Sequence, residues 1–428
     1  MDNHGSEKKQ MIKLDRQQRL LTLFAVLIVF CVFLFAVRFV NAKSKQKQIK
    51  LNKKSVTLIV GKSQKLKVKN LPNHAKITWK SSKKSVASIS KKGVVKAKKK
   101  GKATIKCRIR YGRKNSKKKT LQCKITVTEK NKNKNNNTNK KSVVYMTKDI
   151  SPNGLMAVYQ KLNWIAKGKT AVKISTGEPP ASHYLDPNLI KDLVQSVDGT
   201  IVECNTAYGG DRSSTAMHRQ VAKDHGFTQI AEVDIMDSDG SMTLPVKDGT
   251  HLKENYVGKH FKNYTSFLVL SHFKGHAMAG FGGAIKNISI GIASSKGKSY
   301  IHSGGTSASG FYGEQNDFLE SMAEAGKSVS DSLENGKDIV YVNVMNNLSV
   351  DCDCDGYPAK PKMKDIGILA STDPVALDQA CVDLVYQQKD GDGASLVKRI
   401  ESLNGLLTLE HAEEIGLGSR QYSIVNVK

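Results

Sequence analysis

Thirteen consecutive residues, EKNKNKNNNTNKK at positions 129–141, contain no apolar side chain. Such a run has nothing to bury and cannot offset the conformational entropy lost on folding, so it is a linker (129–142) rather than a packed element. The chain must therefore fold as separate bodies. Charge divides along the same line. Residues 43–142 hold 35 of the 68 Lys and Arg side chains and one acid, Glu129, more than the whole formal net charge of +30. The residues from 143 onward are mildly acidic.

Ahead of the basic stretch, residues 20–37 read LLTLFAVLIVFCVFLFAV, 18 residues without a charge, long enough to cross the hydrocarbon core of a bilayer. Lys8, Lys9, Lys13, Arg16 and Arg19 precede it. By the positive-inside rule that end stays cytoplasmic and the rest is exported. Residues 1–19 then form a cytoplasmic basic tail and 20–42 a transmembrane helix, a single-pass anchor in the cell membrane. Alternatively, Val40-Asn41-Ala42 is a cleavage site, 20–42 is a signal peptide, and the protein is secreted. Either way everything downstream is expected outside the cytoplasm, where disulfides persist. No twin arginine precedes the run, so the chain is expected to cross unfolded and to acquire any metal afterwards.

Within residues 49–128, SVTLIVGKSQKLKVK and KATIKCRIRY alternate with period two, lysines on the outward positions. Ile77-Thr78-Trp79-Lys80-Ser81-Ser82, Ser85-Val86-Ala87-Ser88-Ile89, Gly93-Val94-Val95-Lys96-Ala97 and Gly101-Lys102-Ala103-Thr104-Ile105 make the region resemble a bacterial Ig-like domain of group 2 (BIG2). The resemblance implies an all-β sandwich with Trp79 and the alternating Val and Ile residues in its core. Cys107 and Cys123 are equidistant from a turn near 112–116. Cysteines so placed face each other across a hairpin, so a disulfide is expected, with two buried thiols as the other reading. The lysine excess is either a solvated face or a surface for an anionic cell-wall polymer or lipid headgroups. Nucleic acid is not an expected partner, because no aromatic side chains are interleaved with the lysines to stack bases.

From residue 143 to 428 short apolar runs alternate with helical stretches. Strands are expected at 143–147, 171–175, 200–205, 266–270, 339–344 and 365–370, and helices at 155–165, 187–197, 214–225, 318–333 and 374–387. That order predicts an α/β domain with a mostly parallel sheet, whose sites cluster at the carboxyl ends of strands. Four such loops carry polar chemistry: STGEPP (175–180), CNTAYGGDR (204–212), the stretch 271–287, and STDP (371–374). Together these segments resemble the DUF362 domain family, most specifically in HFKGHAMAGFGGAIKN and DCDCDGYPAKPKMKDIGILASTDPVALDQACVDLV. The resemblance implies an Fe–S centre, because members are described as Fe–S centre proteins. The Cys-x-x-Cys-x-x-Cys run of the ferredoxin module often attached to them is absent, and the family supplies no reaction.

The stretch Asp351-Cys352-Asp353-Cys354-Asp355 admits several chemistries. In an extended segment Cys352 and Cys354 point to one side, and two thiolates suit zinc, copper(I) or an Fe–S cluster. Cys381, Cys204, His272 or His276 would complete the ligands, so an Fe–S cluster or a divalent metal is the expected cofactor. Asp351-x-Asp353-x-Asp355-Gly356 also matches the first half of a calcium loop, but Lys362 stands where a bidentate Glu is needed. A bridge between Cys352 and Cys354 would strain an extended chain, whose Cα atoms would lie about 6.5–7 Å apart; pairing of either with Cys381 or Cys204 is easier. Cys381 also lies on the apolar stripe of its helix, which suits a core thiol. Asp373 before Pro374 reads as a helix N-cap.

If the domain is an enzyme, His272, His276 and Lys274 are the catalytic candidates, and Lys173, Arg212 and Lys286 would bind an anionic substrate or cofactor. No Ser/His/Asp order, phosphate-binding P-loop or dinucleotide fingerprint is present. Two functions stand: a surface-tethered metal or Fe–S domain with a redox or ligand-binding role, and a non-catalytic wall-binding or adhesion protein acting through the basic module.

Overall fold

In the computed structural model, which describes residues 48–112, 116–128 and 141–428, the alternating pattern of the basic module becomes two main sheets beside a short pair, Lys50–Leu51 with Val68–Lys69. Ser55–Ile59, Lys117–Thr128, Gly101–Tyr111 and Lys76–Ser81 form one sheet in that order; Ser63–Lys65, Val94–Ala97 and Ala87–Ile89 form the other. Along Gly101–Tyr111, Ala103, Ile105, Cys107 and Ile109 are buried while Lys102, Lys106, Arg108 and Arg110 face solvent. Trp79 packs against this core as a partly buried side chain. The module belongs to the first of two compact units, into which the chain divides between Asn137 and Thr138. The tail (1–19) and anchor (20–42) read from the sequence lie outside the described residues, and so does most of the linker. Among the described residues no helix is long and apolar enough to cross a membrane.

The expected Cys107–Cys123 disulfide is corrected. The ladder pairs Cys107 with Leu121 and Cys123 with Ile105, so its midpoint falls at position 114 instead of 115. That shift of one residue puts the cysteines two positions out of register. Both are free, buried thiols, and burial pushes each up to about 11.

The second unit is built on one eight-stranded sheet. Its strands are β1 (Ser142–Thr147), β2 (Thr170–Lys173), β3 (Gly199–Glu203), β4 (Val233–Ile235), β5 (Ser266–His272), β6 (Ile339–Met345), β7 (Gly367–Ser371) and β8 (Tyr422–Asn426), in the order β4-β3-β2-β5-β6-β7-β1-β8. The first five run parallel. β7 is antiparallel to both β6 and β1, and β8 is parallel to β1. The helices used below are α1 (Pro152–Gln160), α2 (Pro187–Ser196), α3 (Thr215–Asp224), α4 (Ala284–Ser289), α5 (Ser295–His302), α6 (Gln315–Ser332), α7 (Pro374–Tyr386), α8 (Ala394–Ser402) and α9 (Leu407–Ile415).

Both faces of the sheet are covered, which is why β6, IVYVNVM, is buried at every position. On one face Val172, Leu268, Val340 and Val342 meet Leu155 and Val158 of α1 and Ile190 and Leu193 of α2. On the other, Ala171, Phe267, Val269 and Tyr341 meet Ile285 and Ile288 of α4, Val329 of α6 and Val375 of α7. Asp373 caps α7 as expected, accepting the amides of Val375 at 2.9 Å and Ala376 at 3.0 Å. The strand order turns back between β2 and β5: β3 and β4 lie to one side, β6 to the other. The crevice outside the carboxyl ends of strands at such a switch point is where α/β sheets bind ligands.

Candidate functional site

β2 ends in Lys173 and β3 in Glu203, so the switch point starts with a buried ion pair. Lys173 Nζ lies 2.8 Å from one Glu203 oxygen. The other accepts the Thr176 amide at 2.9 Å and faces Arg212 Nη1 at 3.4 Å. Burial alone would raise the Glu203 carboxyl; Lys173, His218 and Arg212 outweigh it and hold the group well below the usual carboxylate range. Arg212 spends its remaining donors on Glu178 (Nε, 2.9 Å), Ser175 Oγ (3.4 Å) and the Tyr208 hydroxyl (3.2 Å). Lys173 and Arg212 are therefore neutralised from within the protein and build the wall of the crevice.

A second buried cluster closes the end of β5. Asp353 accepts from Lys274 Nζ at 2.7 Å and from His272 Nδ1 at 3.2 Å, and His272 Nε2 reaches the Asn346 carbonyl at 2.8 Å. Both ring nitrogens face acceptors, so neither is free to take a proton from a substrate. His272 is thus held at both ring nitrogens. Burial opposes the Asp353 charge, but His272 and Lys274 hold its carboxyl down at about 2. The calcium reading is corrected by the same geometry. The three aspartates are engaged separately: Asp351 with Arg399 at 3.0 Å, Asp353 with Lys274, and Asp355 with the Tyr357 amide at 2.9 Å.

The loop carrying these residues is tied by backbone bonds to the segments that follow β2 and β5. Glu178 N donates to the Asp353 carbonyl at 2.8 Å, Ala181 N to Gly356 at 3.0 Å, and Gly275 N to Ser349 at 2.8 Å. A Cβ on Gly275 would lie 2.3 Å from the Val350 carbonyl oxygen, so only glycine permits this approach. The Asp355 amide bonds the Cys352 carbonyl at 3.0 Å and closes a turn. That turn brings the Cα atoms of Cys352 and Cys354 to 5.3 Å, and the two form a disulfide. The segment is a turn, not the extended chain assumed from sequence.

His276 joins the sulfurs. One of its ring nitrogens and the Sγ atoms of Cys352 and Cys354 lie within 4.8 Å of one another. Its Nδ1 accepts the amides of Met278 at 3.2 Å and Ala279 at 2.9 Å, so the proton of the neutral ring resides on Nε2. Burial first, then the charges of Lys286, His302 and Arg399, hold the ring well below the ordinary histidine range.

The four-cysteine ligand set is corrected. Cys204 is buried against the Ile292 carbonyl at 3.3 Å and Cys381 receives the Asn343 amide at 3.4 Å, each a core thiol raised by burial. Neither belongs to the His276–Cys352–Cys354 group. Two sulfurs cannot hold a cluster that takes four protein ligands, so the residues present do not fit an Fe–S centre. A single soft ion matches the donor types, but a ligating imidazole donates its second N–H outward. Here that second nitrogen is itself filled by two backbone donors.

α4 lies over the switch point. Asn287 Nδ2 bonds the Lys173 carbonyl at 3.2 Å and Ser271 Oγ at 3.0 Å. Asp378 of α7 receives the first amides of α4, Ala284 at 2.8 Å and Ile285 at 2.9 Å, and burial raises its carboxyl to about 6. This arrangement fixes the helix that carries Lys286, whose side chain is partly accessible. Lys298 of α5 bonds the Ala293 carbonyl at 2.6 Å. Two open depressions of the surface, beside Arg219 and Glu232 and beside Asp186 and His225, are lined by none of these residues. Sequence reasoning missed Glu203, Glu178 and Asp378. Glu203 had a signal: it is the carboxylate ending the apolar run TIVE at the carboxyl edge of a strand.

The family model described as "Domain of unknown function (DUF362)" matches residues 170–383, half of the chain, and the model for a bacterial Ig-like domain (group 2) matches residues 46–120. No curated protein matches. Among solved structures, the lactate racemase apoprotein from Thermoanaerobacterium thermosaccharolyticum is 14% identical over 56% of this chain and 56% of that one, with a TM-score of 0.34. A Thermotoga maritima protein is 13% identical over 55% and 58%, also at 0.34. Domains 1–6 of the surface layer protein SbsC are 18% identical over 19% and 13%, at 0.14. The chain spans little more than half the length of the first two, and TM-scores this low carry no argument about activity.

Proposed function

The chain belongs to the DUF362 family and carries a group 2 bacterial Ig-like domain ahead of it, and from that premise we propose that the C-terminal domain is an extracytoplasmic thiol–disulfide redox domain working through Cys352 and Cys354. The observation that carries this reading is the convergence of His276 with the two bonded sulfurs within 4.8 Å. Export, argued from residues 20–37, supplies the compartment in which such a pair cycles.

The chemistry follows from the surroundings. Cys354 is partly exposed, so a thiolate of an external dithiol attacks its Sγ. The S–S bond breaks and Cys352 departs as a thiolate. Its sulfur accepts the Cys354 amide at 3.2 Å, and the Nε2–H of neutral His276 is available as a second donor. The partner's second thiolate then resolves the mixed disulfide. Two electrons and two protons arrive on Cys352 and Cys354, and the partner leaves as a disulfide. His276 is a neutral hydrogen-bond donor in this scheme, not an acid, and water supplies the protons.

The test is to equilibrate the full chain in glutathione buffers of graded ratio, trap thiols by alkylation and map the peptides. Cys352 and Cys354 should convert together, while Cys107, Cys123, Cys204 and Cys381 keep one state throughout. His276→Phe, which removes a donor to the thiolate, should shift the midpoint ratio about tenfold toward the oxidised form. A pair that never changes state over the range, or that converts one cysteine at a time, would sink the reading.

One observation favours a second role, for the basic module. Lys106, Arg108, Arg110 and Lys124 are exposed on the outward face of one sheet. That single-sign face supports binding to an anionic wall polymer or lipid headgroup. Its affinity for polyanion should fall steeply as salt is raised from low to physiological strength; salt-independent binding would count against it.

A further inference from the structure

We infer that Lys286 anchors a binding site for a small oxyanion, a carboxylate or a phosphate, in the crevice between the carboxyl ends of β2 and β5. This inference does not depend on the sulfur chemistry. The cations gathered here are unequally paired. Lys173 has Glu203 at 2.8 Å, Arg212 has Glu178 at 2.9 Å, Lys274 has Asp353 at 2.7 Å, and Lys298 has the Ala293 carbonyl at 2.6 Å. Among the described residues the Lys286 ammonium alone in this group makes no hydrogen bond and no ion pair.

A cation set among other cations, with little water, is costly unless something pairs with it. Burial pushes the Lys286 amine down to about 8, Lys173, Arg212 and Lys298 push it the same way, and only Asp353 opposes them. The chain nevertheless places it there with some care. Asn287, the next residue, ties α4 to the ends of β2 and β5, and Asp378 holds the first turn from the other side. Gly282 leaves room for the Lys286 stem, since a Cβ there would lie 3.1 Å from its Cδ. The side chain is partly accessible, so a ligand can reach it. Its surplus charge sits at the sheet's switch point, where a negatively charged group would supply the missing partner.

The experiment is calorimetric titration of the full chain, in detergent, with sodium acetate and separately with sodium phosphate, each against sodium chloride at equal ionic strength. The expected result is saturable binding near one equivalent of at least one oxyanion. Which one binds decides between the carboxylate and phosphate sources. Lys286→Met should weaken that binding by at least about tenfold, a loss near 1.4 kcal/mol, while Lys247→Met, at an exposed lysine, should bind as the wild type. Should Lys286→Met fail to fold, labelling of the wild type with acetic anhydride near pH 8 gives an independent readout: the oxyanion should protect Lys286 selectively. Neither oxyanion binding above chloride, a Lys286→Met variant that binds normally, or no protection of Lys286 would each overturn the inference. None of these results bears on the Cys352–Cys354 pair, whose state is read separately by alkylation.

Discussion

Asp353→Asn is expected to destabilise the C-terminal domain by about 3–5 kcal/mol near pH 7, because removing one member of a buried ion pair leaves its partners uncompensated. Two side chains depend on this carboxylate, Lys274 at 2.7 Å and His272 at 3.2 Å. The pH dependence has a definite sign. The folded-state value is depressed to about 2 from an ordinary 3.8, so the stabilisation is present in full above pH 4 and fades as pH falls through 2. The part due to ionisation, about 2 kcal/mol, should be roughly halved by pH 3. Urea unfolding of wild type and variant at pH 7 and pH 3 measures this directly. A difference that does not shrink at pH 3 would mean that the loop is held by its backbone contacts instead of by charge.

Glu203→Gln should cost a similar amount, about 3–5 kcal/mol. Glutamine keeps the shape and can still accept the Thr176 amide, but it cannot neutralise Lys173 and Arg212. The diagnostic is the double variant with Lys173→Met. Removing both charges together should recover about 1–3 kcal/mol relative to the sum of the single changes. Strict additivity in denaturant midpoints would show that the two groups are not coupled.

Much of this fold can be read from the sequence, for a physical reason. Parallel strands covered on both faces are continuous apolar runs, so β5 and β6 announce themselves, and proline after aspartate marks the start of α7. β4 has only three residues, VDI, and β8 is a largely exposed edge strand, so neither carries a strong pattern. The candidate site was legible only in part: Cys204 and Cys381 stay apart as core thiols. Lys173, Arg212, Lys274, Lys286 and His276 do converge, because all sit just beyond or beside strand ends. Which of them is neutralised depends on contacts between distant positions: Lys274 finds Asp353 79 residues away, and Arg212 finds Glu178 34 residues away. The cysteines failed for a local reason in each case. One residue's error in a hairpin midpoint separated Cys107 from Cys123, and an unrecognised turn joined Cys352 to Cys354.

Whether the Cys-Asp-Cys loop is a redox pair or a metal or cluster ligand is decided by purifying the full chain without oxygen and measuring metal, iron and sulfide content. The same sample is then weighed by intact mass spectrometry before and after mild oxidation, beside a Cys352→Ser/Cys354→Ser variant. A redox pair gives no stoichiometric metal in either protein, and a reversible loss of two hydrogen atoms in the wild type that the variant does not show. Near-stoichiometric metal or iron in the wild type, lost in the variant, would contradict it and make the loop a ligand for that ion.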